Sequence, residues 1–315
     1  MSLRIPVDTI RLAVPVLALT ALLAAVFWLQ PRAMSYLGLN LLFNLAVPIA
    51  LATVAQMFIL AVNDLDLSMG AFVSFAACVT ATFLHASPLL GAVILLAAIA
   101  VYAAMGAIIH LRNLPSIVVT LGMSFVWTGL AVLLLPAPGG AAPAWARGLM
   151  TAKPPLVPMA IVASVVIALV THLILMRSSL GVLIRAVGGN QQSVARAGWS
   201  PLIAKAAAYG LAGVFAVLAG IALVGLTTSA DANIALRYTL LSIAGVILGG
   251  GEFVGGRVSP VGAVIGALTL ALAGSFLSFL RISPDWQIGA QGAILVIVLA
   301  LRLFLNKLER QERAG

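Results

Sequence analysis

The residues of this chain that could carry chemistry are few, and their spacing excludes most reactions. Its three histidines, His85, His110 and His172, are scattered near the ends of apolar runs, with no HExxH or other metal-ligand spacing. None of its three lysines follows a Gly-x4-Gly run, so no loop is built to cradle a nucleotide phosphate. No Gly-x-Ser-x-Gly elbow and no Ser-His-Asp or Cys-His order offers a nucleophile. The eight acids, Asp8, Asp64, Asp66, Asp231, Glu252, Asp285, Glu309 and Glu312, all sit at ends or breaks of apolar runs. An ion-coupled transporter more often carries such a group in the middle of a span. Enzyme chemistry has no foothold. What remains is recognition by neutral polar groups: Asn40, Asn44, Thr53, Gln56, Asn63, Ser68, Ser74, Thr120, Ser124 and Thr128. They suit a path for an uncharged, hydroxyl-rich solute, and equally suit contacts between neighbouring helices.

Two interrupted stretches and one polar island must position these groups. Asn63-Asp64-Leu65-Asp66 is too short for an exposed loop between full spans. Asp66 precedes Leu67-Ser68-Met69-Gly70 and suits a cap or first-turn acid for the next helix. The second stretch is Gly249-Gly250-Gly251-Glu252, followed by Gly255-Gly256-Arg257, where Glu252 and Arg257 can pair across a glycine turn. Irregular backbone at membrane depth is tolerated only where it is buried or lines a cavity, and paired interruptions point to a transport pathway. On that reading Gln56, Asn63, Asp64, Asp66, Ser68, Gly70, Gly249 and Gly250 are the pathway candidates. The island runs from Arg177 to Pro201 and carries Arg177, Arg185 and Arg196, with Lys205 just beyond. Gly188-Gly189 ends one short piece, Asn190 caps a second over Gln191 to about Ala197, and Gly198 and Pro201 stop it. The spacing fits a docking helix lying along the membrane, and fits a solvated connector as well.

Composition fixes the class of protein. The chain has 315 residues, 63% of them hydrophobic and only 8% charged, against about 25% charged in an ordinary soluble domain. It reads as an all-α polytopic membrane protein of about ten segments: 11–30, 41–62, 67–84, 89–110, 116–135, 157–176, 202–227, 237–250, 259–280 and 287–305. Five spans in each half, about 1–136 and 157–305, would give the halves inverted topology around the loop 177–201. With the N-terminus inside, twelve cations fall inside and five (Arg32, Arg147, Lys153, Arg237, Arg281) outside, so both termini are expected in the cytoplasm. The stretch Leu12–Leu29 lacks a small-residue cleavage site and reads as a retained first helix. The Pro- and Gly-rich loop 136–155, with Trp145, is expected outside as a linker between halves, and 306–315 as a charged tail. The net charge of +9 sits at helix ends, forms no stripe and is no nucleic-acid footprint. Cys78, the single cysteine, is without a disulfide partner in the chain.

Four motifs in order resemble the permease subunits of bacterial ABC importers for monosaccharides, the ribose/xylose/arabinose type. They are Asn63–Gly70, Leu114-Pro115 through Thr120-Leu121-Gly122, Ala186–Gly198, and Tyr209-Gly210 with the glycine run ending at Arg257. Together they span about Leu41–Ala300. Departures are Asn63 and Asp64 in place of a glycine pair, Glu252 for a small hydroxyl residue, and Val258 for a glycine. The resemblance implies a type II importer-like fold in a bacterial inner membrane and a homodimer or heterodimer with a second permease. It implies cytoplasmic ABC ATPase subunits, which hydrolyse the ATP while this chain binds no cofactor, and a periplasmic or lipid-anchored solute-binding protein. Gly189, Asn190, Gln191, Gln192, Ala195, Arg196 and Gly198 would then dock the ATPase. A branched-chain amino acid or nucleoside permease of the same superfamily is the alternative, with an ion-coupled secondary transporter behind it.

Overall fold

The computed structural model describes residues 7–253 and 255–281, together with the isolated positions 286, 289 and 292–293. Apart from those isolated positions the expected tenth segment lies outside the described residues, as do the charged tail and Arg4.

Among the described residues every regular element is helical. In chain order they are α1 (Val7–Leu29), α2 (Tyr36–Asn44), α3 (Ala46–Ala61), α4 (Met69–Val79), α5 (Pro88–Leu111) and α6 (Ser116–Leu134). Then come α7 (Ala144–Thr151), α8 (Met159–His172), α9 (Ser179–Arg196), α10 (Pro201–Thr227), α11 (Tyr238–Leu248) and α12 (Pro260–Phe279). A π-helical turn extends α4 over Thr80–Leu84, and another extends α8 over Leu173–Arg177. Six helical stretches are long and apolar enough to cross a membrane: α2 continued by α3, α5, α6, α8 with its π turn, α10 and α12. Three apolar stretches are shorter, 15–29, 69–84 and α11.

Burial sorts the helices into layers. Every residue of α3 is buried, as expected of a helix that is apolar all round. It is flanked by α10, α11 and α12, while α5 lies on the far side of α10. By contrast α6 buries only Thr120, Trp127 and Ala131 and touches the bundle chiefly through α4. Aromatic rings wedge these elements together: Phe72 lies 4.4 Å from Tyr102 and 4.8 Å from Trp127, and Tyr102 lies 6.2 Å from Tyr209.

The two ends of the bundle are distinct. One end gathers the last residues of α3 and α5, the middle of α9 and the glycine run 249–256. The opposite end gathers Ala81, the linker and the loop after α10, where Gly139 and Ala230 pair as a single β-bridge. The linker is more than a tether. Its α7 buries Ala146 and Met150, and a Cβ on Gly225 of α10 would stand 2.8 Å from the Ala146 carbonyl oxygen.

One expectation is corrected. The stretch that meets the break before α4 is Thr228–Arg237, before α11, and not the glycine run after α11. From Ala230 at the opposite end this segment descends beside α4, where Ala235 N donates to Ser74 Oγ (3.0 Å). α11 then starts against the start of α4, with Gly70 N donating to Thr239 Oγ1 (2.9 Å). At 11 residues, α11 is about 16 Å long, roughly half a hydrocarbon core. Thus two short helices begin side by side inside the bundle and run to opposite ends. The glycine run serves a different purpose: Gly249 and Gly262 press backbone to backbone, so α11 and α12 cross without side chains between them.

Candidate functional site: a braced break beneath a kinked surface helix

After α3 the chain turns at Asn63, whose φ of +63° is a left-handed value that Asn adopts more readily than most residues. It then runs without regular structure from Asp64 to Leu67 back into the bundle, and Ser68, with helical φ and ψ, leads into α4. That stretch has no secondary-structure partner, so its peptide groups need side-chain partners. The sequence supplies them from two helices, α6 and α3. Leu65 N donates to Ser116 Oγ (3.2 Å), Leu67 N donates to Thr120 Oγ1 (3.1 Å), and the Thr120 hydroxyl donates to Leu65 O (3.3 Å). Gln56, in the amide orientation that satisfies both its ends, donates to Asp66 O and accepts from Asp66 N, each at 3.2 Å.

The two carboxylates of the break are held differently. Asp66 is fully buried and accepts from Ser68 N (2.6 Å), Ser68 Oγ (2.7 Å) and the Tyr102 hydroxyl. It thereby closes the turn ahead of α4, but it is neither the cap nor a first-turn acid expected from the sequence: Ser68 is the residue before the helix and the first turn holds no acid. Asp64 forms a two-pronged ion pair with Lys205 of α10 (3.0 and 2.9 Å), and Tyr209 donates to it at 3.4 Å. Both side chains are about nine-tenths shielded. Gln56, Asp64, Asp66, Ser68 and Gly70 therefore form an interior brace. Gly249 and Gly250 are buried at the turn after α11.

The island sits directly on this brace. Its α9 begins with Ser178 Oγ accepting from Gly181 N (3.0 Å) and breaks at Asn190, whose φ of −157° and ψ of 100° are non-helical. Asn190 Oδ1 accepts from Ser193 N (2.9 Å), capping the second piece as read from the sequence. Gly198, with φ +81°, reverses the chain toward Ser200 and Pro201 at the start of α10. Gly188 lies against the Ala61 carbonyl of α3 and the Gly256 backbone, leaving no room for a Cβ. Gln191 Nε2 stands 3.0 Å from His110 Nδ1 at the end of α5. The kink thus rests on the ends of α3 and α5 and on the glycine turn. Beyond it, Asn190, Gln192, Ala195, Arg196 and Gly198 stay at least partly exposed, available to a partner.

Sequence reasoning missed several parts. Tyr102, Ser116, Lys205, Tyr209 and Thr239 complete the brace, yet each lies 34 residues or more from its partner, beyond the reach of local pattern. Arg237 was counted among outer cations. The structure sets it, exposed, at the start of α11, about 10 to 15 Å inward from the Gly139–Ala230 bridge by helix rise. The expected Glu252–Arg257 pair is present at 3.6 Å, and Glu252 N also donates to Arg257 O at 2.9 Å.

Comparison with known proteins bears on this arrangement. Residues 38–299 match the family model described as branched-chain amino acid transport system / permease component. The ribose import permease protein of Escherichia coli K12 is 28% identical over 295 residues, 90% of this chain and 91% of the relative. The D-allose transport system permease protein of the same strain is 26% identical over 257 residues, 80% of this chain and 79% of the relative. Its galactofuranose transporter permease protein is 27% identical over 305 residues, 91% and 86% of the two chains. No solved structure matches the chain significantly.

Proposed function

This chain belongs to the family of branched-chain amino acid transport system permease components, and from that premise we propose that it is the membrane subunit of an ATP-driven importer for a monosaccharide or related polyol. Relatives named for ribose, allose and galactofuranose support the sugar over the amino acid of the family's description. One observation carries the mechanism: the capped second piece of α9 projects from the bundle while its kink rests on α3, α5 and the glycine turn. A partner that grips residues 191–197 can therefore push on the helices that frame the break.

In this reading ten spans form two inverted halves, with α4 and α11 as their matching half-helices. The tenth span is the segment expected at 287–305. Both termini and the island face the cytoplasm, where two ATPase subunits dock on Gly189, Asn190, Gln191, Gln192, Ala195, Arg196 and Gly198. Closure of the ATPases on ATP moves the docking helices, and their different contacts in each state drive the switch of access. An extracytoplasmic binding protein delivers solute at the opposite end. The exposed surface of α6 is available to a second permease across the pathway. An exposed guanidinium at mid-depth is costly against lipid, so the Arg237 side of the α4–α11 junction borders water, and the solute passes there. Gln56, Asp64, Asp66 and Ser68 then act behind the path, fixing its wall.

The test is co-purification of the chain with its ATPase. Asn190→Trp with Ala195→Asp should abolish ATPase retention while membrane insertion stays at the wild-type level. Equal retention by this variant would make the island a connector and remove the docking assignment.

A further inference from the structure

Behind the coupling surface lies a second feature with its own chemistry. A cavity of about 650 Å³ opens between the end of α8, the first half of α9 and the glycine turn leading into α12. Arg185 of α9, Arg257 of the glycine turn and His172 of α8 all line it, so basic residues from three separate elements share one space. The first turn of α12, capped by Ser259, lines the same wall, and a helix start adds partial positive charge. Among the acids whose side chains are described, Asp64 is engaged by Lys205, Asp66 by Ser68 and Tyr102, and Asp231 lies in the loop after α10. Only Glu252 reaches the cluster, 3.6 Å from Arg257 in a pair that is largely exposed on the arginine side. The cavity is thus short of negative charge.

The Arg185 guanidinium on that wall is also short of partners. Arg185 Nε is buried and has no hydrogen-bond partner among the described residues. A buried donor on a charged group is expensive to leave unpaired, and guanidinium recognises a planar or tetrahedral oxyanion through paired N–H groups. The level of the site in the bundle narrows the source. The π turn of α8 ends at Arg177 and α12 begins at Pro260, so the ends of two spans frame the cavity. Leu173 and Val261, on those same turns, are exposed apolar side chains. Cations at a span end above exposed apolar surface are the arrangement that holds a lipid headgroup.

We propose that this cavity binds a phosphate anion between Arg185 and Arg257, supplied by the headgroup of an acidic phospholipid. Gly256 packs on the Arg185 carbonyl, so the anion would tie α9 to the glycine turn at the joint where α9 rests. The site stands whether or not α9 docks an ATPase, and needs no particular solute.

The experiment uses the full chain in nanodiscs of phosphatidylcholine alone or with phosphatidylglycerol. Native mass spectrometry counts retained phosphatidylglycerol, and thermal unfolding is followed in both membranes. The wild type should retain the lipid and unfold at higher temperature in its presence. Arg185→Gln with Arg257→Gln should lose roughly tenfold or more in retention, while Arg147→Gln, an exposed cation of α7, should retain it fully. Inorganic phosphate is added to phosphatidylcholine discs as the second arm. If it alone protects the wild type and phosphatidylglycerol does nothing, the site takes a free anion and the lipid assignment falls. If the double variant matches the wild type in both arms, there is no anion site here.

Discussion

At the scale of single residues, the interactions of the break differ greatly in weight. Hydrogen bonds between membrane helices contribute on average about 0.6 kcal/mol, because the alternatives in the unfolded chain also find partners. The rungs from Ser116, Thr120 and Gln56 fall in this class; together they align the segment, and singly none decides stability. The Asp64–Lys205 pair is different, since both side chains are about nine-tenths shielded. Removing one partner of such a pair leaves an uncompensated charge and costs about 3–5 kcal/mol, whereas replacing both by neutral groups can be nearly neutral. Lys205→Met should therefore lower the melting temperature in detergent sharply, and Lys205→Met with Asp64→Asn should recover most of the loss. If the double variant is as unstable as the single one, the pair is not the force that holds the break to α10.

At the scale of elements, the kink in α9 is a local device and can be tested locally. Asn190 satisfies one of the free amides of the second helical piece through Ser193 N. Losing such a cap costs about 1 kcal/mol, roughly a fivefold change in the local opening equilibrium. Asn190→Ala should thus raise hydrogen exchange over residues 193–197 about fivefold, while Asn190→Asp, which keeps the acceptor, should leave it near wild type. Equal acceleration in both variants would mean that packing, and not the cap, forms this piece. That the cap could be read from sequence follows from its reach of three residues. The turn at Asp66 is just as local, spanning two residues, yet Ser68 and not Asp66 precedes the first turn of α4. The ion pair joins positions 141 apart, and nothing in either neighbourhood announces it. Glycine density was misleading for a physical reason. The run at 249–256 marks close helix crossing and close approach to α9, while the segment that packs against the start of α4, Thr228–Arg237, contains neither glycine nor proline and reads as a plain loop. For the polar side chains two roles fit the sequence, and only their partners show that Gln56, Ser68 and Thr120 satisfy backbone and carboxylate groups inside the protein.

At the scale of the whole molecule, the arrangement has one polarity, and function depends on which end faces the cell interior. Cation counting expects the island end inside, but Arg237, taken there as an outer cation, is exposed about 10 to 15 Å inward from the Gly139–Ala230 bridge, so it adds little to the margin of that count. The half-helices supply a firmer frame. α4 runs from the junction toward the linker, and α11 from the junction toward the glycine turn, so each end is reached by one of them. The proposed function requires the island to face ATP and the linker end to face outside, and the two ends carry exposed positions that report this directly. Leu156, 90% exposed, precedes α8 at the linker end, and Trp199, 60% exposed, follows α9 at the island end. The only native thiol, Cys78, is fully buried in α4 and should stay silent toward a charged maleimide. In intact cells Leu156→Cys should label and Trp199→Cys should not; after the membrane is made permeable, both should label. The reverse pattern would put the island outside, where no ATP is available, and would overturn the importer assignment together with its docking surface. Labelling of both in intact cells would show that the two positions share a side, so that an even number of crossings separates them and the span order between α8 and α10 is wrong.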